Sequence, residues 1–174
     1  MTKRLGPLIT LAILTTCQWL SAQEIEWLSW EEAVRLTQTE ARPKKVFVDV
    51  YTDWCGYCKR MDAQTFNDPE VARYMKENFY MVKFNAEQKE PIEFQGRTFN
   101  YVARGNRGYH ELAVLLLNGR LSYPTVVFMN EEMTAGTPVP GFRPADTFLP
   151  IAEYFVENGI QASGPRKVKS GSKR

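Results

Sequence analysis

The sequence is poor in cysteine, with three in 174 residues. That excludes a small domain held together by a disulfide framework. A chain of this length can bury a core without such staples. It also lacks an excess of one charge. The 22 basic and 20 acidic residues leave a net +2, too small a bias to indicate a nucleic-acid surface by itself. Histidine occurs once, as His110. Two cysteines and one histidine do not make a closed structural zinc site, so His110 reads as an ordinary helix-start residue and no metal is expected. There is no phosphate-cradling glycine loop, no nucleotide fingerprint, no serine–histidine–aspartate order and no internal repeat. What remains is a composition of 44% hydrophobic and 24% charged residues, suited to one globular domain.

The small net charge hides a segregation. Lys3 and Arg4 open the chain, and Arg166, Lys167, Lys169, Lys173 and Arg174 close it. Without these seven, 15 basic residues face 20 acidic ones, so the body is mildly acidic. The tail, residues 163–174, is rich in Lys, Ser and Gly, with Val168 as its apolar residue. It reads as a solvated, flexible end rather than a nucleic-acid or membrane contact. At the other end, a short apolar run from Leu5 to Leu20 lies between Lys3-Arg4 and the small residues Ser21-Ala22. This order describes a secretory signal peptide over residues 1–22, cleaved after Ala22. The run is short and Thr-rich for a membrane anchor. Cys17, in Leu14-Thr15-Thr16-Cys17, weakly resembles a lipidation site, but Thr16 fits one poorly. Cleavage would remove Cys17 and leave Cys55 and Cys58. The mature chain is then expected to be extracytoplasmic, with its domain over residues 23–162.

Within that domain, Ser29-Trp30-Glu31-Glu32 reads as a capping box opening a helix to about Thr39. Lys45 to Tyr51 is dense in β-branched and aromatic residues and reads as a buried strand. A helix is expected from Cys55 to about Thr65, a second from Asn67-Asp68-Pro69-Glu70 to Asn78, and a strand over Phe79–Asn85. Residues 86–108 are polar, with a small hairpin over Ile92–Phe99. A helix over Tyr109–Asn118 closed by Gly119, a strand over Ser122–Met129, an edge strand over Val139–Phe142 and a last helix capped by Thr147 complete the reading. Alternating strands and helices predict an α/β fold, with a mostly parallel sheet covered on both faces and an antiparallel closing edge.

The strongest chemical signal is Trp54-Cys55-Gly56-Tyr57-Cys58-Lys59, between a buried strand and a helix. On a first helical turn, cysteines three apart share a face and can close a disulfide. Unpaired amides and the positive helix end favour a thiolate on the first cysteine. Such a thiolate attacks a disulfide, and the second cysteine resolves the mixed disulfide. Asp49 lies six residues before Cys55, inside an apolar strand. A carboxyl there needs a partner or a task; burial would raise its pKa and suit it to accept the Cys58 proton. A satisfied structural aspartate is the plainer alternative. Pro124 opens the third strand, and a cis Tyr123–Pro124 bond would explain it.

These residues together resemble the thioredoxin superfamily. Val46 to Lys59 is similar to the family's strand, buried acid and redox motif; Val82-Lys83-Phe84-Asn85 resembles its next strand, whose lysine lies near the acid. Tyr123-Pro124-Thr125 resembles its cis-proline turn, and Gly141 its late glycine beside a bound chain. Lys59 to Val71 is similar to exported thioredoxin-like reductases such as the C-terminal domain of the bacterial membrane electron transporter DsbD. The resemblance implies a thioredoxin fold, a central mixed sheet with helices on both faces. It implies Cys55 as attacking thiolate, Cys58 as resolving thiol, Asp49 and Lys83 for the proton, and Trp54, Gly56, Tyr57, Tyr123, Pro124 and Gly141 along the substrate. It implies a monomer without cofactor, reducing cysteine pairs in other proteins and fed by an upstream thiol donor such as a membrane-embedded one. The Gly56-Tyr57 dipeptide departs from thioredoxin and resembles the isomerase DsbC, so an isomerase or oxidase stays open. So does a non-catalytic binding module or a Cu(I) carrier on the two thiols.

Overall fold

The computed structural model describes residues 24–160; the expected leader, with Cys17, and the basic tail lie outside them. Helix α1 is Trp30–Thr39, opened by the Ser29 hydroxyl accepting the Glu32 amide. The Glu32 carboxylate does not reach back as expected: it pairs with Arg35 one turn on. Strand β1, Lys45–Tyr51, leads into helix α2, Gly56–Met61. The expected long helix then loosens into a π-helical turn over Asp62–Phe66, where the Asn67 amide donates to the Asp62 carbonyl. Asp68 caps α3, Pro69–Asn78, by accepting two amides, and β2 is Phe79–Asn85.

Four strands form the sheet in the order β2-β1-β7-β8, where β7 is Thr125–Met129 and β8 is Gly136–Pro140. Strands β1 and β2 run parallel; β7 runs antiparallel to both β1 and β8. The sheet is therefore mixed, and the mostly parallel arrangement read from the element order is corrected. The reason is visible in the register. Tyr51 pairs with Asn85 and Val50 with Thr125, so β2 ends and β7 begins at one end of the sheet. No helix crosses the sheet between them, so the strand must return antiparallel.

Successive residues of β1 face opposite layers. Val46, Val48 and Val50 pack with Trp30 and Ala33 of α1 and with Leu112 and Leu116 of α4, Glu111–Leu116. Phe47 points the other way, into Met61, Phe66, Met75, Phe128, Phe148 and Phe155, under α2, α3 and α5. Helix α5 is Ala145–Asn158 and begins after Pro144, so Thr147 is inside it rather than at its cap. Pro150 falls in the second turn, where it removes one intrahelical donor.

The 86–110 stretch holds two hairpins, not one. Strands β3, Ile92–Phe94, and β4, Arg97–Phe99, form the expected hairpin. Strands β5, Tyr101–Arg104, and β6, Arg107–His110, form a second. Tyr109 and His110 are thus strand, and α4 starts two residues later than expected. The edge strand β8 starts three residues before its expected start at Val139 and ends at Pro140, before Gly141.

Candidate functional site

Helix α2 begins at the carboxyl end of β1, and Cys55 is its N-cap. The Cys55 sulfur accepts the Cys58 amide at 3.1 Å, and the two cysteines are joined in a disulfide with Cα atoms 5.3 Å apart. Both are nearly buried, at 5% and 2% exposure, while Trp54 and Tyr57 beside them are half or more exposed. The disulfide thus sits within an exposed aromatic rim. Gly56, between the thiols, has open space around its α-carbon.

Asp49 is on the Phe47 face of β1, the same layer as α2. Its carboxyl is buried, and neither oxygen has a hydrogen-bond partner. Lys83, its register partner on β2, comes within 3.3 Å as an ion pair, but its ammonium is directed at Asp62 in the π turn, one helical turn beyond Cys58. The Lys83 ammonium also lies over the rings of Trp27 and Tyr51. Burial pushes the Asp49 pKa up to about 6, with Lys83 opposing and the Asp62 charge adding to the rise.

The Tyr123–Pro124 peptide bond is cis. Gly141, at φ 89, donates its amide to the Pro124 carbonyl at 2.8 Å, which locks the start of the last loop to the proline turn. A side chain at that φ would be strained. Tyr123 packs edge-on against Trp54, with ring centres 6.0 Å apart. Burial raises its hydroxyl pKa to about 12. The fold therefore brings Trp54, Tyr123 and Pro124 to one end of the sheet with the cysteines. Tyr57 reaches the loop after β8 through Phe142, under the Arg60 guanidinium.

A family model described as thioredoxin-like matches residues 26–131. The chain belongs to the thioredoxin-like family. Over 116 residues, 66% of its length, it is 29% identical to the thiol:disulfide interchange protein DsbD of Neisseria meningitidis. That match spans 16% of the relative, so this thioredoxin-like chain corresponds to a small part of it. Among solved structures, the DsbH oxidoreductase shares the fold: TM-score 0.55 at 18% identity, covering 83% of this chain and 92% of that one. The C-terminal domain of Neisseria meningitidis DsbD in its reduced form is 27% identical, covering 71% of this chain and 90% of that one, with a TM-score of 0.47.

Sequence reasoning missed three participants. Asp62 shares Lys83 with Asp49; its place, four residues after Cys58 on a helix, was the available signal. Glu87 accepts the Trp54 indole N–H at 3.0 Å, and the Arg107 guanidinium covers the Trp54 ring at 4.4 Å. The pairing of Arg107 with Trp54 depends on the second hairpin. Its Gly105-Asn106 turn between two four-residue runs was the legible clue. Among the described residues, no group of three or more His, Cys, Asp or Glu is placed to hold a metal ion. No described helix is long and apolar enough to cross a membrane.

Proposed function

We propose that this thioredoxin-like chain is an extracytoplasmic thiol–disulfide oxidoreductase that reduces disulfides in other proteins. The observation that carries the reading is a Cys55–Cys58 disulfide beside a cis-proline turn, with a buried carboxyl that has no hydrogen-bond donor. In the reduced enzyme, the Cys55 thiolate attacks one sulfur of a substrate disulfide and expels the other as a thiolate. Cys58 then loses its proton and attacks the Cys55 sulfur. This releases the second substrate thiol and leaves the Cys55–Cys58 disulfide.

Asp49 takes the Cys58 proton in this scheme. A carboxyl with a pKa of about 6 is ionised at neutral pH yet basic enough to accept a proton. Lys83, shared with Asp62, opposes the rise, but burial and the Asp62 charge outweigh it and keep Asp49 basic. The backbone of Tyr123, next to the cis bond, lines the approach of an extended substrate, and Trp54, Gly56, Tyr57 and Gly141 border it. Each turnover removes two electrons from the enzyme, so a thiol donor must restore them; a membrane-embedded donor suits an exported chain. The signal-peptide pattern read over residues 1–22 supports export. The protein acts as a monomer without a bound cofactor.

The test is the reduction potential of the Cys55/Cys58 pair, by equilibration against dithiothreitol or glutathione. A value near that of thioredoxin, roughly −270 mV, supports the reductase. A value near roughly −120 mV assigns disulfide formation instead. A Cys58→Ser chain should accumulate mixed disulfides at Cys55. A chain that forms none, with a pair that never cycles, would make the protein a binding module.

A further inference from the structure

A cavity of about 420 Å³ opens beside the cysteines, between Trp54, Tyr123 and the β5–β6 hairpin. Arg104 and Arg107 line it from the hairpin, and Glu87 from below. Tyr123 belongs both to the cis-proline turn and to this wall. A chain laid along the turn therefore continues over the cavity within a few residues.

The two arginines are exposed and directly opposite each other in the hairpin register. Like charges in that position destabilise a hairpin. Among the described residues, neither has a carboxylate within ion-pair distance. Glu87 lines the same pocket without an ion pair to either arginine, and one of its oxygens accepts the Trp54 indole N–H. The Arg107 guanidinium lies over the Trp54 ring, so its face is occupied while its edge donors remain available. The hairpin that presents it is firmly held. The His110 amide donates to the Ala86 carbonyl at 2.7 Å, and its ring bridges the Glu90 carbonyl and the Leu112 amide. Gly108 lets the Tyr101 ring lie so close that a β-carbon would come within 2.3 Å of it.

We infer that this pocket reads an acidic side chain near the reacting cysteine of the partner protein. The inference rests on the oxidoreductase reading and names a substrate class for it: extended segments with Glu or Asp a few residues from the cysteine. A carboxylate entering the pocket gains guanidinium donors in the planar arrangement that arginine offers to carboxylates. A lysine there meets two like charges against one carboxylate. The preference belongs to recognition, so it falls as salt screens the exposed arginines.

The test uses the full chain, reduced, and capped peptides whose single cysteine is blocked as a mixed disulfide with mercaptoethanol. Each peptide carries Glu, Gln or Lys two residues to one side or the other of the cysteine. Stopped-flow rates of peptide-thiol release are compared. On one side, Glu should react about five- to tenfold faster than Gln, and Lys more slowly than Gln. Replacing both arginines with glutamine, R104Q/R107Q, should bring the Glu-to-Gln ratio close to one, and R104E/R107E should favour Lys. Equal rates for all three peptides in the natural chain overturn the inference, as does a Glu preference that survives R104Q/R107Q. Absence of exchange with every peptide, the neutral one included, overturns the oxidoreductase reading along with it.

Discussion

One face of the sheet buries Asp49 and the other His110, and they treat these groups in opposite ways. On the face under α2, α3 and α5, Asp49 is buried with no hydrogen bond to either oxygen, and burial raises its pKa to about 6. On the face under α1 and α4, His110 is fully buried with both ring nitrogens used. Nδ1 accepts the Leu112 amide, Nε2 meets the Glu90 carbonyl, and burial holds the pKa below its ordinary value. A buried polar group with its bonds made holds a structure together. A buried carboxyl without them costs stability, and the sites where proteins keep such a group are often sites of chemistry. The contrast separates a hairpin anchor from a buried carboxyl of the kind the proposed proton transfer needs.

The largest effect should come from removing the anchor. His110→Ala leaves the Leu112 amide and the Glu90 carbonyl unpaired beside Phe84 and opens a cavity. It should destabilise the chain by about 3–4 kcal/mol in urea denaturation. Because the folded imidazole has a lowered pKa, its contribution is present above the unfolded value of about 6.5 and fades as pH falls below it. The variant should lack that acid-side decline.

Asp49→Asn should do the reverse and stabilise the protein. The folded carboxyl has a raised pKa, so its contribution is favourable below the ordinary value of 3.8 and is lost as pH rises through about 6. The variant should gain about 2–3 kcal/mol at pH 7.5 and little at pH 4. Its thiol exchange should slow at least about tenfold and lose any inflection near pH 6. A variant destabilised at pH 7.5 would make Asp49 an ordinary structural residue and dissolve the contrast.

Gly108→Ala tests whether the second hairpin is a built platform. The added carbon meets the Tyr101 ring at 2.3 Å and the Val102 carbonyl at 2.4 Å. A loss of about 2 kcal/mol is expected, with earlier proteolysis between residues 100 and 110. The smallest effect belongs to Ser29→Ala. It removes one cap of α1 and should cost about 1 kcal/mol, with no change in thiol exchange.

Much of this was legible in one dimension. The run from Lys45 to Tyr51 marks a buried strand because Val46, Phe47, Val48, Val50 and Tyr51 all favour one, and Asp49 stands out among them as the candidate proton acceptor. The Asp68-Pro69 start of α3 and the alternation of Ile92–Phe99 are local preferences, and the structure keeps them. The hairpin of Tyr101–His110 was hidden because Arg104, Arg107 and two glycines make it look like loop. The antiparallel return of β7 was hidden because element order does not say at which end of the sheet a connection stays.

The sequence by itself determined most helices and the β1, β2 and β7 strands, the cysteine spacing and the misplaced carboxyl, since these follow from local propensity and from what a strand interior tolerates. Only the tertiary structure decided that Lys83 is shared between Asp49 and Asp62, that Gly141 locks the proline turn, and that Arg107 covers Trp54. Each of these joins residues distant in the chain, and packing brought them together rather than any local preference.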